Sequence, residues 1–416
     1  MSRESRPRSR DAGDPFGALP IRSWIAPILS VVGLVLILVL TLNLLGVNLA
    51  IGGGGTPAGP DGQGNGSTDR SPAPSGVVLP EPEAVFPGSI VYAKSGDIWI
   101  QTGDKVRQLT DSGQDSMPSW SPDGTTVYFI RTTQEMGLWP SQGNDRRYLM
   151  TVPNIMSMAA DGSGTVERLR TGKFRKNGKT WFYWMRQPVM SPNGKTFALV
   201  SDAPDPTKSD VILQFWTPST DKSSIPDVTE IAPLGHQDPA WRPDGKMLFY
   251  VRNGREGAKG TPVIYRWDLA RKISSPVTGP GYLEPRFSPD GRYIAATHTT
   301  AFGSDVVILD ATKGRELLRV TTDGASWAPV WSPAGDAIAF FHIDGQIVDL
   351  RMAVLDGSAP DWTVKETKAL TAVSGLDGSS RPDWFIPADQ LPATPVPTIP
   401  ATPSSEPSTS ASPSAP

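Results

Sequence analysis

Residues Pro118–Ile130 read "PSWSPDGTTVYFI": a proline and a tryptophan, a Ser-Pro-Asp-Gly turn, then an apolar run. The turn follows from its side chains. Proline presets φ, aspartate bonds to its own backbone, and glycine accepts the positive φ that closes the reversal. The Thr-Val-Tyr-Phe-Ile run suits a pleated strand. Variants begin at Pro188 ("PVMSPNG"), Pro239 ("PAWRPDG"), Pro285 ("PRFSPDG") and Pro329 ("PVWSPAG"), and a shortened copy, "RPDWFIP", starts at Arg381. From proline to proline the steps are 70, 51, 46, 44 and 53 residues, mostly near the period of about 40–50 expected of propeller blades.

Around these copies, residues 88–387 carry short runs rich in Val, Ile, Tyr and Phe, such as "TFALV", "MLFYV", "DVVIL" and "AIAFF", separated by Gly, Asp, Pro and Asn. No helical period is sustained, so the body is all-β. One four-stranded sheet cannot bury both faces, whereas a ring of sheets can, and it leaves few free edges. Six copies predict a six-bladed β-propeller in which Trp120, Trp241 and Trp331 wedge sheet against sheet. The sixth copy stops after "DWF", while "SIVYAKSGDIWI" (89–100) lacks a preceding phrase. The two ends are therefore predicted to complete one blade between them.

The segment "GDIWIQTGDKVRQLTDSGQDSMPSWSPDG" (96–124) and its near-complete second copy at 305–335 resemble the repeat of the TolB-like β-propeller family. The resemblance covers essentially all of 88–387 and implies the six-bladed fold. It does not extend to the family's extra N-terminal α/β domain, so membership of a Tol–Pal system does not follow.

The flanks differ in kind. Residues 24–46 include an uncharged apolar run, Trp24–Leu45, whose helix would reach about 33 Å, enough for a hydrocarbon core of roughly 30 Å. Arg3, Arg6, Arg8, Arg10 and Arg22 precede it, and the next basic residue is Arg70. The positive-inside rule gives a cytoplasmic N-terminal tail (1–23), an uncleaved signal anchor, and an extracytoplasmic propeller. Residues 47–87 form a Gly/Pro/Ser-rich linker and 388–416 a Pro/Ser/Thr-rich tail, both expected to be disordered.

Composition removes several functions. Cysteine is absent, which excludes disulfides, thiol nucleophiles and Cys-ligated metals. Lys+Arg 39 against Asp+Glu 42 gives no basic field for nucleic acid. No G-x-S-x-G occurs, and "GKFRKNGKT" (172–180) has five residues between its glycines where a phosphate loop needs four. His236, His298 and His342 are too scattered for a metal cluster. No cofactor and no metal are expected.

Two candidate surfaces remain. Asp115, Gln187, Asp238, Glu284 and Arg381, close before the repeat prolines, are placed at the start of the innermost strands, facing the channel mouth. The stretch "KFRKNGKTWFYWMRQP" (173–188) sets basic residues among aromatics, with Arg175, Trp181 and Trp184 as its candidate contacts. The expected function is a monomeric, non-catalytic, membrane-tethered module that binds a protein or peptide of the cell envelope. The alternative is an enzyme on an envelope polysaccharide or peptide, with Asp238 and Glu284 as acid and base.

Overall fold

The computed structural model describes residues 86–141, 144–203, 211–228, 235–253 and 262–391. The proposed anchor, the N-terminal tail, nearly all of the linker and the C-terminal tail beyond Leu391 lie outside them. Among the described residues no helix is long and apolar enough to cross a membrane.

The repeat yields six four-stranded antiparallel sheets. The inner strands of blades 2 to 6 are Asp115–Trp120, Met185–Met190, His236–Trp241, Tyr282–Phe287 and Ser326–Trp331. Blade 1 is made by both ends of the body: Asp383–Phe385 pairs with Ser89–Lys94, which continues into Asp97–Thr102 and Lys105–Gln108. In that clasp Ile90 faces Trp384 in register, and Trp384 Nε1 donates to the Pro87 carbonyl at 3.0 Å. The body begins slightly earlier and ends slightly later than its sequence boundaries suggest. Phe86 is buried edge-on against Trp384, and the Gly88 N–H reaches Gln390 Oε1 at 3.3 Å.

Why the ring closes is visible in its core. There are six apolar clusters among the described residues, and each joins two neighbouring blades. Ile90 and Tyr92 of blade 1, for example, pack with Phe341 and Leu350 of blade 6, while Val91 and Ile98 pack with Phe129 of blade 2. A second strand such as Phe197–Ser201 is covered on both faces and is buried throughout, which is why it reads as a continuous apolar run rather than an alternation. The outer strands Lys105–Gln108 and Lys222–Ser224 are exposed at every position.

Two of the three wedge tryptophans bridge blades by hydrogen bonds as well as by packing. The Trp120 backbone N–H and Nε1 donate to Asp383 Oδ2 and to the Asp383 carbonyl, and Trp241 Nε1 donates to the Val189 carbonyl. Trp331 packs in the cluster between blades 5 and 6. The turn aspartates are structural, as the turn chemistry requires. Asp123 Oδ1 accepts from Ser121 Oγ and the Thr125 N–H, and Asp290 Oδ1 from Ser288 Oγ and the Arg292 N–H. At Asp244 the Arg242 guanidinium takes the serine's place beside the Lys246 N–H. These bonds hold all three carboxyls below the usual carboxylate range. Gly124 takes φ +70° where its Cβ would strike the Phe385 ring.

The 70-residue step is accounted for in blade 2, where Thr126–Ser141 and Asn144–Ala159 form a long hairpin. A second hairpin, Lys173–Lys176 with Lys179–Phe182, lies beside it, fixed by Phe182 against Gly137 and by a Lys173–Glu135 ion pair.

Candidate binding site in the central channel

Each inner strand is interrupted at the same place. In blades 2 to 6 the residue before the repeat proline has a left-handed backbone: Met117 φ 55°, Gln187 φ 54°, Asp238 φ 56°, Glu284 φ 55° and Ala328 φ 52°. The pairing register slips across each of these positions, as between Gln237 and Ala240. The extra residue makes a β-bulge, and the bulge accommodates the proline that cannot donate to a ladder.

In blades 3 to 6 the freed N–H of the bulge donates to the side chain at the same position of the preceding blade. Gln187 N–H points to Met117 Sδ at 3.4 Å, Asp238 N–H to Gln187 Oε1 at 2.8 Å, Glu284 N–H to Asp238 Oδ2 at 3.2 Å, and Ala328 N–H to Glu284 Oε2 at 2.8 Å. Met117 N–H donates to Ser380 Oγ at 3.1 Å. The result is a hydrogen-bonded belt around the channel wall. Gln187 Nε2 also returns a bond to Asp238 Oδ1 at 2.6 Å, and Thr297 Oγ1 donates to Glu284 Oε2 at 2.6 Å.

Arg381 closes the bore at this level. It extends from blade 1 to the opposite blade, where Nη1 lies 3.3 Å from Asp238 Oδ1. Glu284 is enclosed beside it. Burial and the Asp238 carboxylate push its carboxyl up to about 7, against the opposing pull of Thr297 and Arg381. The space left between the belt and Arg286 is about 10 Å³, at the lower limit for a single water.

Four of the channel candidates, Gln187, Asp238, Glu284 and Arg381, are thus brought together. Asp115 is not. It starts its strand two residues before the bulge, where its carboxylate takes a bidentate bond from Arg131, 2.7 Å on each side. Ser326 likewise starts its strand two residues before the bulge, and the belt positions of those two blades belong to Met117 and Ala328. Nor do Gln187, Asp238 and Glu284 begin their strands at an open mouth. They sit in mid-strand, on the wall of a closed bore. The insertion residues lie elsewhere: Arg175 and Trp184 are exposed, Trp181 is half-buried, and the Trp184 N–H is held by Asp202 Oδ1 at 2.7 Å.

An open site lies where the inner strands end at the Ser-Pro-Asp-Gly turns. There a recess of about 330 Å³ is walled by Trp120, Trp241, Pro243 and Trp384, and Arg286 and Asp383 supply its charged groups. Five of the six blades contribute to it. Sequence reasoning missed Arg286 and Asp383, although a signal existed. The residue following the repeat proline is Ser119, Val189, Ala240 and Val330 in four blades and charged only in these two.

Among known structures the fold is similar to TolB from Acinetobacter baumannii, with a TM-score of 0.51 at 19% identity over 71% of this chain and 66% of that one. It is also similar to a putative TolB from Agrobacterium tumefaciens, with a TM-score of 0.50 at 17% identity over 73% of this chain and 95% of that one. The chain therefore spans just under two thirds of the Acinetobacter protein. No family model matches the chain and no curated protein resembles it in sequence. At these identities the likeness establishes a six-bladed β-propeller similar in structure to TolB propeller domains.

Proposed function

We propose that the chain is a non-catalytic binding module: a membrane-anchored, extracytoplasmic propeller that holds a protein or peptide partner of the cell envelope in the recess at the turn end of its channel. The observation that carries this reading is the recess itself. It is preformed by five blades, apolar and aromatic on its walls, and charged at only a few points, which is the composition of a recognition pocket. The membrane topology rests on the sequence of residues 1–46. The enzymatic alternative gains nothing from the geometry. Asp238 is already engaged by Gln187, by the Glu284 N–H and by Arg381.

A photo-crosslinking residue placed at Val189 or Met190, on the recess wall, tests the reading in intact cells. The expected product is a discrete adduct with one protein, absent when the same residue replaces Lys222 on an exposed outer strand. Equal adducts from both positions, or none from either recess position, would refute it.

A further inference from the structure

Arg286 stands between the closed belt and the open recess, lining both spaces. Its Nε is buried and makes no hydrogen bond. The nearby Arg381 Nη1 is buried as well, and its approach to Asp238 is an ion pair without hydrogen-bond geometry. Two guanidinium groups thus meet at one level of the bore with donors left over. Buried polar groups are seldom left without partners, because each carries the cost of its lost hydration. We propose that the floor of the recess is a carboxylate-binding site in which Arg286, backed by Arg381, receives a chain-terminal or side-chain carboxylate of an entering peptide, an inference that rests on the recess being the binding surface.

The surrounding charges select the ligand. Arg286 is faced by Asp383 of blade 1, by Asp238 of blade 4, by Arg381 across the bore, and by Glu284 on its own strand. Burial and the Arg381 charge push the Arg286 guanidinium down to about 10, and a carboxylate arriving at this point favours its charged form. Asp238 and Asp383 offset the two arginines. The site is therefore close to neutral when Glu284 carries its proton, and it accommodates a monoanion better than a dianion such as phosphate. A flat carboxylate also matches the guanidinium fork. The walls of tryptophan and proline suit the apolar stem that would carry that carboxylate.

A linked proton follows. Glu284 faces Asp238, Arg381, Thr297 and the Ala328 N–H, and a carboxylate arriving at Arg286 adds a further like charge. Binding therefore favours the protonated form of Glu284, and affinity rises as pH falls from 8 to 6. In Glu284→Gln the amide oxygen still accepts from Ala328 and Thr297, and the pH dependence disappears.

The test uses the full chain in detergent and three N-terminally fluorescein-labelled peptides read by anisotropy: tri-alanine with a free C-terminus, tri-alanine amide, and Ala-Glu-Ala amide. The expected result is that the free-carboxylate and glutamate peptides bind about 10- to 100-fold more tightly than the amide, as charge-assisted bonds to a buried guanidinium require. Their relative strengths distinguish a chain terminus from a side chain. Arg286→Met should abolish the difference, Arg286→Lys should keep part of it, and melting curves check that both variants are folded. If all three peptides bind alike, if the preference survives Arg286→Met in a folded protein, or if inorganic phosphate competes better than acetate, the inference is wrong. The crosslinking at Val189 is independent of these peptides, so a partner captured there alongside peptides that bind alike would leave the recess reading intact and overturn only the carboxylate.

Discussion

Two levels of one channel, a few residues apart, make opposite use of their polar groups. At the belt, Gln187, Asp238 and Glu284 are bound to one another and to the backbone of the next blade. At the recess floor, Arg286 keeps a buried donor without a partner. The belt is the more conspicuous candidate by residue type, yet its carboxylates and its amide are already engaged within the ring. Polar side chains in a bore signal function where their bonding is incomplete, and where it is complete they signal assembly.

The largest effect tests whether both levels depend on ring closure. A chain ended after Pro360 loses Arg381, Asp383 and Trp384 together with the strand that pairs Ser89–Lys94, leaving two sheet edges and two apolar faces open. It should aggregate or fail to show a cooperative melt, whereas a chain ended after Leu391 should melt like the full chain. A monomeric Pro360 truncation with an unaltered melt would mean that the two-ended blade is not what holds the ring.

Next in size is the belt itself. Asp238→Ala leaves Gln187 Nε2 and the Glu284 N–H without their acceptor and the Arg381 guanidinium without its counter-charge, and breaking a buried charge pair from one side costs about 3–5 kcal/mol. Denaturant unfolding should show that loss. Arg286→Met should cost far less, because no bond is broken. Equal losses in the two variants would erase the distinction between belt and floor.

A pH series sharpens the comparison. The Glu284 carboxyl rises from its ordinary 4.5 to about 7 in the fold, so between those values the native state binds the extra proton. Stability is therefore lost as pH climbs through this window and is recovered below it. Thermal melts of Glu284→Gln should be flatter over the same range than those of the parent chain. Matching slopes would remove Glu284 from the titration.

The smallest effect belongs to the insertion. Trp184 is 51% exposed, and Arg175 is exposed on its hairpin, so replacing both with alanine should change stability by no more than about 0.5 kcal/mol. The crosslink at Val189 should persist in that variant. Its disappearance without unfolding would move the contact surface from the channel to the insertion.

The repeated phrase, its period and the split sixth copy were sufficient to predict an all-β body of six blades closed by its two ends. Those features are local: a turn needs Pro, Asp and Gly within a few positions, and a doubly covered strand needs a short apolar run. The same local chemistry correctly marked Asp123, Asp244 and Asp290 as turn residues. What the sequence could not show is which side chains meet in the bore. Asp115 stands three residues before its repeat proline and Gln187 one, and only the fold shows that the earlier position pairs with Arg131 while the bulged one turns inward to Asp238. Arg381 reaches Asp238 only because blades 1 and 4 stand opposite each other once the ring is closed, and Arg286 is left without a partner only because its neighbours are already engaged. Those pairings join residues distant in the chain through a shared axis, and no periodicity along the sequence encodes them. Closure of the ring alone decides them.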